Sequence, residues 1–244
     1  MNRFSRPFRF FSASAVCGAL VLGTGAPDVP AAPTLDAQDK RVSERLALLL
    51  HQNIKQPNGS KIKLVVSPTA RASEGYFSQI HMSGAPVQLR QKLRISEFSL
   101  DARNVRVDVV SLWGANKVRT LQSQTTLRAV ITEDDLTQLL ARGKRSKGMN
   151  LKVKYLGNQM RVTGNLNYPL LSGPVVGVGT LRLMPGHKVH LDITSLKLRG
   201  VETPAFVKNQ LMGHVNPVIE YQDLPFNPPF KSVKVVGNKA ILST

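Results

Sequence analysis

The chain has 244 residues, with 33 Lys and Arg against 15 Asp and Glu, so its formal net charge is +18. A single cysteine excludes an intrachain disulfide, and stability must therefore come from packing. So large a basic excess indicates an anionic partner.

The first thirty or so residues have the three parts of a cleavable secretory signal. Met1–Arg9 carries three arginines and no acid, Phe10–Leu22 is apolar, and small residues follow up to Ala32. The apolar stretch is shorter than the roughly 20 residues of a transmembrane helix, which favours a cleaved signal over an anchor. We therefore expect residues 1–32 to be the signal and cleavage region, and residues 33–244 to form a single domain.

Export changes what the composition implies. Cleavage near Ala32 removes Cys17, which leaves no thiol for a disulfide, a metal site or nucleophilic catalysis. It also removes three arginines and Asp28, which lowers the formal charge from +18 to +16. The signal predicts a periplasmic or other extracytoplasmic location, where anionic lipid headgroups are abundant and nucleic acid is scarce. The expected partners include an anionic membrane surface and exclude nucleic acid.

Helical and strand periodicities alternate along the rest of the chain. Apolar residues at three- and four-residue spacing between Asp36 and Asn53 predict an amphipathic helix. Period-two alternation then predicts strands over Lys61–Val66 and Tyr76–Met82.

A long double run of alternating residues extends from Leu93 to Val109, with phase slips near Glu97 and Arg103 that predict bulges. Val118–Ile131 continues the alternation. Strands of this length favour a curved antiparallel sheet over a buried parallel one.

Thr132 is a natural N-cap for a second helix, whose first turn holds the acidic triplet Glu133–Asp135. Carboxylates there face the positive end of the helix dipole, so capping is favoured over a cation site or an acid pair. Leu136 and Leu140 belong to its expected buried stripe.

The C-terminal half predicts two hairpins, a third helix and a closing set of strands. The third helix begins at Thr203-Pro204 and ends near Asn216-Pro217, with Phe206 and Leu211 among its inward residues. The hairpins pair Leu151–Leu156 with Met160–Leu166 and Val175–Met184 with Lys188–Leu198, and the last strands are Val218–Asp223, Lys231–Val236 and Ala240–Ser243.

These elements predict an α+β fold in which a long, curved, mainly antiparallel sheet is wrapped around two or three amphipathic helices. Such a layout either fills its interior or leaves an elongated apolar cavity, and periodicity leaves both possibilities open.

Motifs for catalysis are missing from the sequence. It has no Gly-x-Ser-x-Gly elbow and no phosphate loop. The glycines Gly173, Gly177 and Gly179 favour close packing or strand bending over a nucleotide site. The five histidines are dispersed, and His187 and His190 would point to opposite faces of a strand. We therefore expect no enzyme activity, no catalytic residue, no metal and no cofactor.

A basic cluster follows the second helix, in a stretch without an acid. It is either a patch for phosphate headgroups and a membrane surface, or a solvated loop and strand face. The residues proposed for the headgroup are Arg142, Lys144, Arg145 and Lys147, and Lys152 and Lys154 follow them closely.

Three segments resemble the LmeA family of exported bacterial phospholipid-binding proteins. They are Ile95–Asp108 (ISEFSLDARNVRVD), Leu127–Leu136 (LRAVITEDDL) and the C-terminal end, with Asn216-Pro217, Asp223-Leu-Pro225 and the terminal hairpin. The similarity extends from about Val42 to Ser243. It implies a sheet curved around helices, as in tubular lipid-binding domains, with acyl chains of a diacyl phospholipid in the apolar interior.

The resulting hypothesis is a non-catalytic periplasmic protein that binds or carries phospholipid. The alternative is an envelope structural or adaptor protein with a packed interior and a basic face that docks on an anionic polymer or a membrane enzyme. A lipid esterase would need a nucleophile motif that the sequence lacks. The expected apolar lining consists of Leu46, Leu50, Phe98, Val107, Leu136, Leu140, Leu181, Phe206 and Leu211.

Overall fold

A computed structural model describes residues 35–89, 93–142, 148–168, 171–221, 224–226 and 228–244. These residues belong to one compact unit that spans Pro33–Thr244. The predicted signal region, together with Lys144, Arg145 and Lys147, lies outside the described residues.

Four α-helices are present in the described parts of the chain, one more than the sequence predicts. None of these helices combines the length and the apolar character needed to cross a membrane. Their bounds are Ala37–Asn53 (α1), Val109–Trp113 (α2), Glu133–Arg142 (α3) and Ala205–Val215 (α4), and a short 3-10 turn covers Ala72–Glu74.

The first sheet is antiparallel and has six described strands, in the order β14-β15-β7-β6-β3-β2. It contains the two long strands that the sequence predicts before the second helix. The bounds are Lys63–Pro68 (β2), Tyr76–Gly84 (β3), Glu97–Val107 (β6), Thr120–Thr132 (β7), Ser232–Val236 (β14) and Lys239–Ser243 (β15).

The second sheet contains both predicted hairpins and is also antiparallel, with the strand order β12-β11-β10-β9-β8, while β13 pairs with β11. Its strands are Lys152–Leu156 (β8), Gln159–Tyr168 (β9), Leu171–Met184 (β10), Lys188–Leu198 (β11), Val201–Glu202 (β12) and Ile219–Glu220 (β13). A small third sheet joins Ile54–Lys55 (β1), Val87–Leu89 (β4) and Arg94–Ile95 (β5).

The α+β class and the mainly antiparallel pairing are as predicted, but the expectation of one long sheet is wrong. The phase slip near Glu97 is the place where the chain leaves the small sheet and enters the first large one. Ser96 separates β5 from β6, and its backbone N–H donates to the Val130 carbonyl at 2.9 Å. The slip near Arg103 is a bulge, with a shifted register and a positive φ of 49° at Asn104.

Helix α2 was missed because it is a single short turn between two long strands. Asp108 directly follows β6 and caps the helix, since its carboxylate accepts hydrogen bonds from Val110 N at 3.1 Å and Ser111 Oγ at 2.7 Å. The alternating pattern of Leu93–Val109 instead predicts Asp108 on the polar face of a strand.

The predicted cap of α3 is confirmed. Thr132 N donates to Asp135 Oδ2 at 3.0 Å, and Asp135 N donates to Thr132 Oγ1 at 3.3 Å. Glu133 accepts a hydrogen bond from Tyr155 N at 2.7 Å, which ties α3 to β8. The triplet therefore anchors the helix.

Candidate functional site: an apolar groove under helix α4

An apolar groove lies between the second sheet and helix α4, with about 390 Å³ of space not filled by atoms, its open mouth included. Strands β9, β10 and β11 form its floor, and α4 contributes two residues from its C-terminal half. All the lining residues are apolar: Met149, Leu151, Val162, Leu166, Val175, Gly177, Leu191, Ile193, Leu196, Met212 and Val215.

Strand alternation sets this apolar floor. Val162, Gly177 and Leu196 are register partners across β9, β10 and β11, so they form one row on the same face. The neighbouring residues in sequence point to the opposite face, where Arg161 and Lys197 are exposed. The same period-two pattern that predicts the strands therefore separates an apolar inner face from a basic outer face.

Gly177 leaves room in the groove because it has no side chain. A Cβ atom there would lie 3.0 Å from Ile193 Cδ1 and 3.4 Å from Leu196 Cδ1, so any larger residue would enter the space between them. At Gly179 the close packing inferred from the sequence is confirmed, since a Cβ would lie 2.2 Å from the Asp192 carbonyl oxygen.

Helix α4 is tied to β11 at both ends. At its start, the Leu196 carbonyl accepts hydrogen bonds from Thr203 N at 2.8 Å and Thr203 Oγ1 at 2.9 Å. At its end, Asn216 Oδ1 accepts from Leu191 N at 2.8 Å and Asn216 Nδ2 donates to Leu191 O at 3.0 Å. The helix thus spans the groove between two of the residues that line it.

The charged side chains described near the groove lie on the opposite face of the second sheet. Among the side chains that the structure describes, no ionisable one belongs to the lining. On the outer face, Lys154 and Arg161 are register partners in β8 and β9, and Lys154 Nζ lies 3.0 Å from Glu133 Oε2. This hydrogen bond with Glu133 raises the pKa of Lys154 above its ordinary value. The described lining of the groove is therefore apolar and offers no polar group for chemistry.

Metal ligands do not gather in the described part of the chain, where no group of three or more His, Cys, Asp or Glu side chains comes together.

Eight of the nine residues predicted to line a lipid site have described side chains, and these eight lie elsewhere in the fold. None of the eight is among the residues around the groove. Leu46, Leu50, Phe98, Val107, Leu136 and Leu140 are buried in the core, and Leu181 is partly buried against it. Their contact with lipid stays a prediction.

Phe206 was expected to face inward, and this orientation is wrong. Its side chain is 68% exposed, while that of Val207 is buried. Adjacent positions on a helix point about 100° apart, so turning Val207 inward directs Phe206 to solvent. The side chain of Leu211 lies outside the description.

Among the predicted headgroup residues, only Arg142 is described, and it is exposed at the C-terminal end of α3. Residues that the sequence argument missed include Leu191, Ile193, Leu196 and Met212. Alternation in β11 marks Leu191 and Ile193 as inward. Leu196, three residues after Ile193, lies on the same face because the register with β10 shifts between Val178 and Gly179. The sequence carries no signal for the unfilled space beside these residues.

A family model described as LmeA-like phospholipid-binding matches residues 37–243. The chain belongs to this family. The match covers the whole described fold except its outermost ends, and it supports a phospholipid as binding partner. No curated protein and no solved structure matches the chain in the corresponding comparisons.

Proposed function

We propose that the protein is a non-catalytic phospholipid carrier of the periplasm or extracytoplasmic envelope, which holds acyl chains in the groove under α4. The observation that carries the proposal is the apolar groove, whose lining includes no ionisable group, in a member of a phospholipid-binding family. An acyl chain bound to such a lining would be removed from water. The lining has no polar side chain that could take part in a reaction.

The hydrophobic effect is large enough for this role. Each methylene group removed from water contributes about 0.8 kcal/mol, so about ten of them supply roughly 8 kcal/mol. Part of this is offset by the loss of freedom of the lipid on binding.

In this proposal the headgroup stays at the surface, where basic side chains neutralise its phosphate. Arg142, Lys144, Arg145 and Lys147 remain our proposed headgroup residues, and each would contribute on the order of 1 kcal/mol near an anionic surface. The N-terminal segment would direct export and be removed near Ala32. The N-terminal sequence of protein recovered from a periplasmic fraction tests this part directly.

Native mass spectrometry of the gently purified protein tests the carrier function. We expect a co-purifying phospholipid, and uptake of one from phosphatidylglycerol vesicles by protein stripped of lipid. Met212→Asp places a carboxylate in the groove lining and should abolish this uptake, because an unpaired charge in an apolar site is costly.

Met184→Asp is the matched control, since Met184 lies at the exposed end of β10 and does not line the groove. It should bind lipid as the unchanged protein does. If the purified protein has the mass of the chain without lipid and takes up no lipid from the vesicles, the carrier function is contradicted. That result would favour an adaptor with a packed interior. Release of fatty acid on incubation would contradict the non-catalytic part.

A further inference from the structure

Two large apolar side chains are exposed close together in sequence beside the groove. Val201 is 71% exposed and Phe206 is 68% exposed. Pro204 and Ala205, between them, are exposed as well. Large apolar side chains exposed this close together in the chain are candidates for contact with a partner or a membrane.

Hydrogen bonds hold this segment in place. β12 pairs with the end of β11, where Val201 is the register partner of Leu198. Arg199 N donates to the Pro174 carbonyl at 2.8 Å, and Arg199 Nε donates to the Ser172 carbonyl at 2.8 Å. The exposed apolar side chains are therefore presented by a fixed turn and by the first residues of α4.

The segment adjoins one end of the groove. Leu196 lines the groove and also accepts the two hydrogen bonds from Thr203. Val175, another lining residue, is the register partner of Leu198, which in turn pairs with Val201. An apolar path thus connects the lining to the exposed surface through directly paired residues.

Basic residues lie close to these apolar side chains in the sequence. Lys197, Arg199 and Lys208 lie within the twelve residues 197–208, where Glu202 is the one acid. Glu202 is already engaged, because its carboxylate accepts hydrogen bonds from Ser195 Oγ at 3.0 Å and Leu196 N at 3.1 Å. Stable attachment to an anionic bilayer needs two contributions. Apolar side chains insert into the bilayer, and basic side chains are attracted to its headgroups.

We infer that Val201 and Phe206, with Arg199, form a docking face for the surface of an anionic phospholipid bilayer. Docking there would bring one end of the groove against the bilayer, so that an acyl chain passes between the two without crossing water. The inference rests on the proposed function for its role in lipid exchange, but docking itself is measurable without bound lipid.

A second exposed apolar pair is the competing surface. Val110 and Trp113 on α2 are 79% and 51% exposed. The guanidinium of Arg45 lies 5.5 Å from the centre of the Trp113 ring, and Arg45 Nε donates to the Leu112 carbonyl at 3.2 Å. No groove-lining residue lies on α2, so docking through Val110 and Trp113 would not bring the groove against the bilayer, and we favour the docking face.

Tryptophan fluorescence distinguishes the two surfaces, because Trp113 is the only tryptophan in the chain. The double variant Trp113→Phe, Phe206→Trp moves the indole to the docking face. On addition of phosphatidylglycerol vesicles we expect a blue shift of its emission, and no shift for the unchanged protein. A shift of the unchanged protein alone, or of neither, would overturn the inference.

Vesicle flotation with a matched pair of variants measures the contribution of the face. Val201→Ser combined with Phe206→Ser should weaken binding to phosphatidylglycerol vesicles about tenfold or more, since two apolar side chains no longer insert. Val110→Ser removes an equally exposed valine from α2 and should leave binding unchanged. Undiminished binding of the double variant would also overturn the inference.

Lipid retention separates this inference from the proposed function. In native mass spectra the docking variant should still carry phospholipid, because none of its changed residues lines the groove. Loss of vesicle binding with lipid retained supports the docking face. If the unchanged protein binds vesicles normally but never takes up lipid, the docking face is supported and the carrier function is refuted.

Discussion

Asp135 is the residue at which helix α3 meets two of the sheets. Its side chain is fully buried and accepts hydrogen bonds from Thr132 N at 3.0 Å, Ser96 Oγ at 2.5 Å and Arg94 Nη1 at 3.1 Å. Thr132 ends β7, Ser96 separates β5 from β6, and Arg94 lies in β5. The Asp135 carboxylate therefore caps α3 and also fixes the point near Ser96 where the chain passes from the small third sheet to the first sheet.

Asp135→Ala should lower the free energy of unfolding by about 2–3 kcal/mol, because it removes the cap and leaves buried donors without an acceptor. Urea unfolding followed by circular dichroism measures this. Asp134→Ala is the control, since Asp134 is exposed in the same helical turn and should change the value by less than about 0.5 kcal/mol. Equal effects of the two substitutions would contradict the anchoring role.

Asp39 gives the protein a pH-dependent contact at the start of α1. Ser73 N donates to Asp39 Oδ1 at 2.6 Å, which links the helix to the 3-10 turn. This backbone hydrogen bond is the main cause that lowers the pKa of Asp39 below its ordinary value. The folded pKa is thus below the unfolded one, so the contact stabilises the fold above the unfolded pKa and is lost as the pH falls through the folded pKa.

Asp39→Asn should be less stable than the unchanged protein at neutral pH, and the difference should shrink as the pH falls below about 4. Urea unfolding at several pH values gives both curves. Glu44→Gln changes an exposed carboxylate on the same helix and should follow the unchanged protein throughout. A difference for Asp39→Asn that stays constant down to about pH 3 would refute the linkage.

Helix α4 forms one wall of the groove and is fixed to β11 through Thr203 and Asn216, so in the proposed function lipid access depends on this element. The sequence predicts both ends of this helix well, from Pro204 at its start and Asn216-Pro217 at its end. It does not predict which side of α4 faces the sheet. That side depends on the path of β11, to which the two ends are hydrogen-bonded.

Asn216→Ala removes both hydrogen bonds to the Leu191 backbone and should destabilise the attachment of α4 by about 2 kcal/mol. Hydrogen–deuterium exchange of residues 205–215 should be faster, and phospholipid should leave the groove sooner in a transfer assay. Asn209→Ala changes an exposed residue of the same helix and should affect neither. Unchanged exchange in Asn216→Ala would show that packing, not these bonds, holds the helix.

Over the whole molecule, the net charge of +18, or +16 after the proposed cleavage near Ala32, should control how the protein binds an anionic surface. Attraction between exposed charges extends over about 10 Å at 0.1 M salt and about 3 Å at 1 M. Binding to phosphatidylglycerol vesicles should therefore weaken steeply with added NaCl, as flotation assays would show. Binding to neutral phosphatidylcholine vesicles should be weak and nearly independent of salt. A salt-independent affinity for anionic vesicles would exclude a role for the basic surface.

The sequence by itself determined the class of each main segment: a helix before the strands, the cap at Thr132, the hairpin turns and an apolar face on each strand. These features follow from interactions between residues close in the chain. Such interactions are visible in the sequence as hydrophobic periodicity and as turn-forming residues. Only the tertiary structure decided that the strands divide into separate sheets at Ser96, that Phe206 faces solvent and that space remains beside Gly177. Those features depend on contacts between residues far apart in sequence, for which the local pattern carries no signal.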